Sequence, residues 1–234
     1  MAELKGNVMG IFKGKIGKIS GRVKNGKNYF VSLPAEFNPS MTPEAVARRE
    51  KFKVTAKLAK AIQKDEILKS IWINEENINS SVYTHVLKLN YNLLINNSPS
   101  IDNLITPDNG FNPNVTALSY ADGTISVSVG ALDNILEINP ETEQFIQVHG
   151  IIFADEPVST SANELFMYEN FVSEKLPIDL QNPTEFSINL GYKKKRSIAK
   201  YGSLKILLAV ITTNNEQQYV QYSHTHFADN LKYL

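Results

Sequence analysis

From about residue 113 onward the chain breaks into short runs rich in valine, isoleucine, threonine and aromatic residues, separated by turn residues. Runs of this length and composition fit strands far better than helices, and their spacing leaves room for little else. The clearest case is VTALSYADGTISVSVGAL, where Asp122 and Gly123 supply the positive φ angles of a two-residue hairpin turn. Further strands are predicted over 144–153, 163–172, 184–190, 203–213 and 217–227. Regularly spaced short strands behind a helical region give an α+β chain that is mainly β. We expect an N-terminal extended basic arm and two helices followed by an antiparallel immunoglobulin-like β-sandwich. The inter-sheet disulfide of antibody domains is excluded, because the chain has no cysteine.

Three segments follow from this texture: an arm over 1–41, a helical segment over 42–112 and the sandwich over 113–234. The first helix starts clearly, with Thr42 as N-cap, Pro43 at the first helical position and Glu44 near the positive end of the dipole. It should run to about Lys64, with Phe52, Ala56, Ala59 and Ile62 on its apolar face and Arg49, Lys53, Lys57, Lys60 and Lys64 as a basic stripe. A second helix is read over 80–96, with Val82, Val86, Leu89 and Leu93 at helical spacing; the alternation there keeps a strand open.

The formal charge of zero conceals an asymmetry. The first 64 residues hold 14 Lys/Arg against four acidic residues, a balance of +10, and the remaining 170 hold 10 against 20, a balance of −10. A one-signed segment attracts its complement over about one Debye length, ~8–10 Å. Residues 10–31, GIFKGKIGKISGRVKNGKNYFV, carry Lys13, Lys15, Lys18, Arg22, Lys24 and Lys27 among five glycines. Glycine at that density costs a helix about 1 kcal/mol per residue, which leaves an extended arm or a loose hairpin around Asn25-Gly26. The G-x-x-x-x-G-K-[ST] order of a phosphate loop is absent. A second basic patch, Lys193, Lys194, Lys195 and Arg196, lies between predicted strands and reads as a hairpin tip that contacts nucleic acid or an acidic partner, or as a solubilising loop.

Taken in order, GKIG…GRVKNGKNYFVSLP, MTPEAVARREKF, SSVYTHVLKLNYNLLIN, the hairpin around SYADGTISV and the closing ILLAVITTNNEQQYVQYSHTHF resemble a family of uncharacterised proteins frequent in Bacteroidota genomes. That family's pattern is a G-K-[IV]-G segment, an R-x-x-P element, a T-x-A-Q-x-x-x-R-x-K-F helix, an N-rich second helix and a β-rich C-terminal half. Here Ser32-Leu33-Pro34 stands where the Arg-containing element is usual, and Glu44-Ala45-Val46 where the helix usually starts with a glutamine. The resemblance implies the architecture and no chemistry.

Sites for chemistry are sparse. His224 and His226 fall on one face of a strand and could donate two imidazoles to a metal; His149, Asp155 and Asp229 are candidates for the further ligands, but nothing in the sequence brings them together, so we expect a polar strand face and no metal. His85 is a lone helix residue. PDNGFNPN at 107–114 lacks the order of a calcium loop, and Glu141 and Glu143 beside Asn139-Pro140 read as loop acids. No serine is tied to a base. We therefore expect no enzyme and no cofactor. With no secretory signal in MAELKGNVMG and no apolar run of about 20 residues, we expect synthesis in the cytoplasm and no membrane partner.

The expected function is structural: a subunit of a phage virion or phage-derived particle whose basic arm docks on neighbouring subunits, as a homo-oligomer or within a larger complex. The alternative is a nucleic-acid-binding protein that contacts phosphates through the arm and the 193–196 patch.

Overall fold

The computed structural model describes residues 13–24, 27–32, 38–75, 80–133, 135, 138–162 and 164–231. The chain forms two compact units, Met1–Val46 and Ala47–Leu234.

In the first unit the basic segment takes the hairpin form and adds a third strand. Strands β1 (Gly14–Ile16), β2 (Ile19–Lys24) and β3 (Lys27–Ser32) pair antiparallel in the order β1-β2-β3. Gly17, at φ 56°, allows the tight turn that pairs Ile16 with Ile19. Lys24 pairs with Lys27; the expected turn at Asn25-Gly26, like the connector at 33–37, lies outside the described residues.

The N-cap of the first helix, α1 (Pro43–Lys64), is as the sequence indicates: Thr42 Oγ1 accepts from Ala45 N–H at 3.4 Å. Its buried stripe is Val54, Thr55, Leu58, Ala59, Ala61 and Ile62, whereas Phe52, expected on the apolar face, is 51% exposed. The stripe is rotated because Val54, Leu58 and Ala61 recur at four- and three-residue steps beside Thr55, Ala59 and Ile62, giving a wider face than the one through Phe52. Helix α2 (Glu66–Asn74) escaped the periodicity reading. It follows α1 after one extended residue, Asp65, whose carboxylate accepts from the N–H groups of Ile67 and Leu68. Helix α3 (Val82–Tyr91) falls within the 80–96 span and decides it as helix. It is capped by Ser81 and buries Val86 and Asn90, with Val82, Tyr83 and Leu87 packed beside them; Leu89, read as a core position, is exposed.

The hairpin β4 (Val115–Ala121) and β5 (Thr124–Val129) turns at Asp122 and Gly123, with φ of 47° and 82°, as the sequence requires. It joins β9 (Thr184–Asn189) in a three-stranded antiparallel sheet. The larger sheet has the order β11-β10-β6-β7, from β6 (Phe145–Pro157), β7 (Met167–Val172), β10 (Tyr201–Thr213) and β11 (Tyr219–Tyr222). Strand β8 (Leu176–Pro177) pairs with β6, and β12 (His226–Leu231) with β10, so the run read as one strand over 217–227 is divided between two. The 193–196 patch is not a hairpin tip: it lies in helix α4 (Gly191–Ile198), anchored by the buried Ile198.

The two sheets pack face to face as an antiparallel sandwich. Ile125, Val127, Phe186 and Ile188 of the smaller sheet meet Ile146, Val148, Ile152, Leu204, Ile206 and Leu208 of the larger one. The opposite face of the larger sheet, with Ile151, Leu207, Ala209 and Ile211, is covered by Leu58, Ile62, Leu68, Ile71 and Trp72 of the helices. Each large apolar side chain among these, fully buried, contributes about 1.5–3 kcal/mol. A strand covered on both faces loses its polar alternation, and β6 is accordingly buried without a break from Ile146 to Ala154. Trp72 satisfies its indole N–H with the Ile105 carbonyl at 2.8 Å. Among the described residues no helix is long and apolar enough to cross a membrane.

Candidate functional site

The register of the N-terminal sheet sorts its side chains by chemistry. Residues opposite one another in an antiparallel pair share a face. The pairs Ile16 with Ile19, Gly21 with Phe30 and Val23 with Asn28 therefore lie on one face; Lys15 with Ser20, Ser20 with Val31 and Arg22 with Tyr29 lie on the other, together with Lys27. One face is apolar and the other cationic. Both are open: Ile16, Ile19, Tyr29, Phe30 and Val31 are each about half exposed or more, and Lys15, Arg22 and Lys27 are exposed. Lys13 precedes β1 and Lys18 sits in the first turn, both exposed. No acidic residue occurs between Glu3 and Glu36, so nothing within the sheet neutralises these cations.

In the second unit the structure brings two sequence-distant basic stretches to one groove. Its lining comes from α1, the start of α2, β7 and Lys194 of α4. One segment of the groove, of about 520 Å³, is lined by Lys57, Lys60, Lys64, Glu164, Tyr168 and Asn170. The next, of about 540 Å³, shares Lys64 and Asn170 and adds Asp65, Glu66, His149 and Lys194. Asn170 ties the walls together, donating from Nδ2 to the Ala61 carbonyl at 2.8 Å while its own backbone carbonyl accepts from Lys194 Nζ at 2.5 Å.

The cations differ in what they are already doing. Lys57 pairs with Glu164 and lies 4.8 Å from the centre of the Phe166 ring, with Lys53 at 5.6 Å. Burial, followed by repulsion from Lys53 and Lys60, pulls the Lys57 ammonium below the usual lysine range. Lys194 pairs with Glu169 at 3.1 Å, and Lys195 with Asp122 in the β4–β5 turn. Lys60 and Lys64 are exposed and make no ion pair among the described residues; the same holds for Lys193 and Arg196. Arg49 is exposed on the first turns of α1.

The inner end of the groove holds a polar cluster that the sequence did not reveal, because its members lie 84 positions apart. His149 on β6 and Asp65 between α1 and α2 are 3% and 8% exposed, with Nδ1 to Oδ2 at 2.7 Å. Gln147 places Oε1 3.2 Å from His149 Nε2, and its amide is oriented by donating to the Ser173 carbonyl at 2.8 Å. Both ring nitrogens thus face oxygens, Asp65 Oδ2 and Gln147 Oε1. Burial pushes the Asp65 carboxyl up, but the His149 hydrogen bond and charge, with the N–H groups of Leu68 and Ile67, hold it below the usual carboxylate range. The pair ties the helical layer to the sheet.

Glu143 is buried and accepts from Asn139 N–H at 2.8 Å, from the Gln221 amide and from the Thr212 hydroxyl, which closes the 139–143 turn. Glu141 is exposed. His85 packs on Trp72 with centroids 5.7 Å apart. The 107–114 connector docks by the Phe111 and Ser223 bridge, and Tyr222 donates to Asn109 Oδ1 at 2.7 Å. His226 has a buried Nε2 without a hydrogen-bond partner, and burial, then the nearby His224, lowers its ring below the ordinary histidine range. Among the described residues no group of three or more His, Asp or Glu side chains is placed to hold a metal ion.

No family model matches the chain, in keeping with its resemblance to a family without assigned chemistry, and no curated protein matches it. Among solved structures, the crystal structure of MtrC from Shewanella baltica OS185 aligns at 14% identity and a TM-score of 0.30, over 52% of this chain and 22% of that one. The chain thus spans about a fifth of that protein, and a likeness at this score carries no argument.

Proposed function

We propose that the chain is a non-enzymatic structural subunit of a phage virion or phage-derived particle, and that its N-terminal sheet docks on neighbouring subunits. The observation that carries this reading is the open apolar face of Ile16, Ile19, Val23 and Phe30 on a sheet that has three strands among the described residues. A sheet this small needs its hydrophobic face covered to be stable. The surrounding cations favour an acidic neighbour, and the −10 balance of residues 65–234 makes another copy of the chain such a neighbour. A particle multiplies a small contact over many copies, which compensates for its size.

Light scattering on the full-length protein and on a deletion of residues 1–40, at low and high salt and with and without nuclease, tests the reading. Nuclease-resistant oligomers that require residues 1–40 are expected, and Ile16→Ser with Phe30→Ser should dissociate them. A monomer under every condition overturns it. The cationic face, where Arg22 lies opposite Tyr29, favours a second reading, nucleic-acid binding. Nucleic acid that co-purifies only with the intact N-terminus, and whose log affinity falls by ~0.7–0.9 per neutralised phosphate for each log unit of salt, would establish that reading instead.

A further inference from the structure

We propose that the groove between α1 and β7 receives an extended acidic segment of a partner polypeptide, which adds to the free edge of β7 as a further strand. The site is separate from the N-terminal sheet, and the inference does not rest on that sheet's docking.

The backbone supplies the first reason. β7 is the last strand of the larger sheet, paired only with β6 among the described residues. Ser173 N–H donates to the Val148 carbonyl at 2.9 Å, which fixes the phase of the antiparallel ladder. Hydrogen-bonded and non-bonded pairs alternate, so Phe171, Glu169 and Met167 bond toward β6, while the main-chain groups of Tyr168, Asn170 and Val172 point to the open edge. The Asn170 carbonyl, which accepts from Lys194 Nζ, agrees with this phase. The edge is therefore a ladder awaiting a partner, of a length that a segment of about six residues, ~20 Å, would cover.

The side chains give the sign of that partner. Both segments of the groove are lined by β7 residues, and the rest of the lining carries Lys57, Lys60 and Lys64 with three carboxylates that are each already engaged, Glu164 by Lys57, Asp65 by His149 and Glu66 by Lys69. Lys60 and Lys64, four residues apart on one helix flank, have no carboxylate of their own among the described residues. Lys57 is depressed by burial and then by crowding from Lys53 and Lys60, and an incoming carboxylate would relieve that crowding. At the far end Lys194 guards the edge, as a lysine on an exposed strand commonly does. An incoming N–H would take over the Asn170 carbonyl and release the ammonium to a carboxylate on the segment.

Fluorescence anisotropy of a labelled peptide of alternating glutamate and valine, titrated with full-length protein at low salt, tests the proposal. Saturable binding is expected, weakened about tenfold or more by Lys60→Glu with Lys64→Glu and weakened less by Lys15→Glu with Arg22→Glu, which lowers only the general attraction of the N-terminal cations for an acidic peptide. Both pairs are exposed, and thermal unfolding of each variant confirms that the fold is kept. The same peptide N-methylated at alternate residues should lose binding, because it cannot complete the ladder. Absence of binding, equal binding of the N-methylated peptide, or loss only in the Lys15 and Arg22 variant would each overturn the proposal.

Discussion

Asp65 holds two elements at once. One carboxylate oxygen closes the start of α2 by accepting from Ile67 and Leu68, and the other holds His149 on β6. Its carboxyl is held low in the folded protein, so protons bind it more readily after unfolding. The stability it contributes is fully present above the unfolded value, about 3.9, and is lost as pH falls through the lower folded value. Asp65→Asn keeps the shape and removes the charge. We expect it to cost about 1–3 kcal/mol at neutral pH, a difference that narrows below about pH 4 in urea unfolding of the two proteins side by side. A cost independent of pH would show that the charge is not what matters. Little of this was legible beforehand. Asp65 fell just past the predicted end of the first helix at about Lys64 and His149 within the predicted strand over 144–153, and a hydrogen bond between residues 84 apart leaves no local pattern.

At the scale of elements, β6 and β7 meet at a place with no room for a side chain. A Cβ on Gly150 would lie 2.2 Å from Phe171 Cζ and 2.8 Å from the Leu207 carbonyl oxygen of β10. The ring can swing, but the carbonyl belongs to the ladder. Gly150→Ala should therefore cost about 1–3 kcal/mol and lower Tm by at least a few degrees, measured by thermal unfolding. The β4–β5 hairpin was readable residue by residue, since Asp122-Gly123 is a local instruction carried by two backbones at positive φ. Helix α4 was not. Its sequence GYKKKRSI has one buried side chain, Ile198, and the helix is held by what its lysines reach, Asp122, Glu169 and the Asn170 carbonyl, all far away in the chain. The same remoteness turned a patch read as freely basic into one with two of its lysines engaged.

For the molecule as a whole, deletion of residues 1–40 should leave the sandwich and its helical layer folded, with a single cooperative urea transition whose slope falls only in proportion to the surface removed. A broadened or lost transition would contradict the division into units at Val46 and Ala47. The sandwich itself was predictable, because alternation and turn residues act over a few positions and each strand declares its own period. Local rules likewise fixed the start of α1 at Thr42 and Pro43, whereas they left residues 10–31 as an extended arm or a loose hairpin, and the three-stranded pairing of β1, β2 and β3 came only with the structure. Which face of a helix is buried, which strand is covered twice and which cations share a groove were settled only by packing. Phe52 is as apolar as Leu58, yet α1 is buried along Val54, Leu58 and Ala61, and Phe52 stays in solvent. Lys60 and Lys194 are ordinary surface lysines in sequence, and they line one groove because α1 and α4 are placed on either side of β7 by cores to which neither lysine contributes. Periodicity is written into a segment, whereas juxtaposition is a property of the whole chain's burial of apolar surface, and that is why the elements were legible and the site was not.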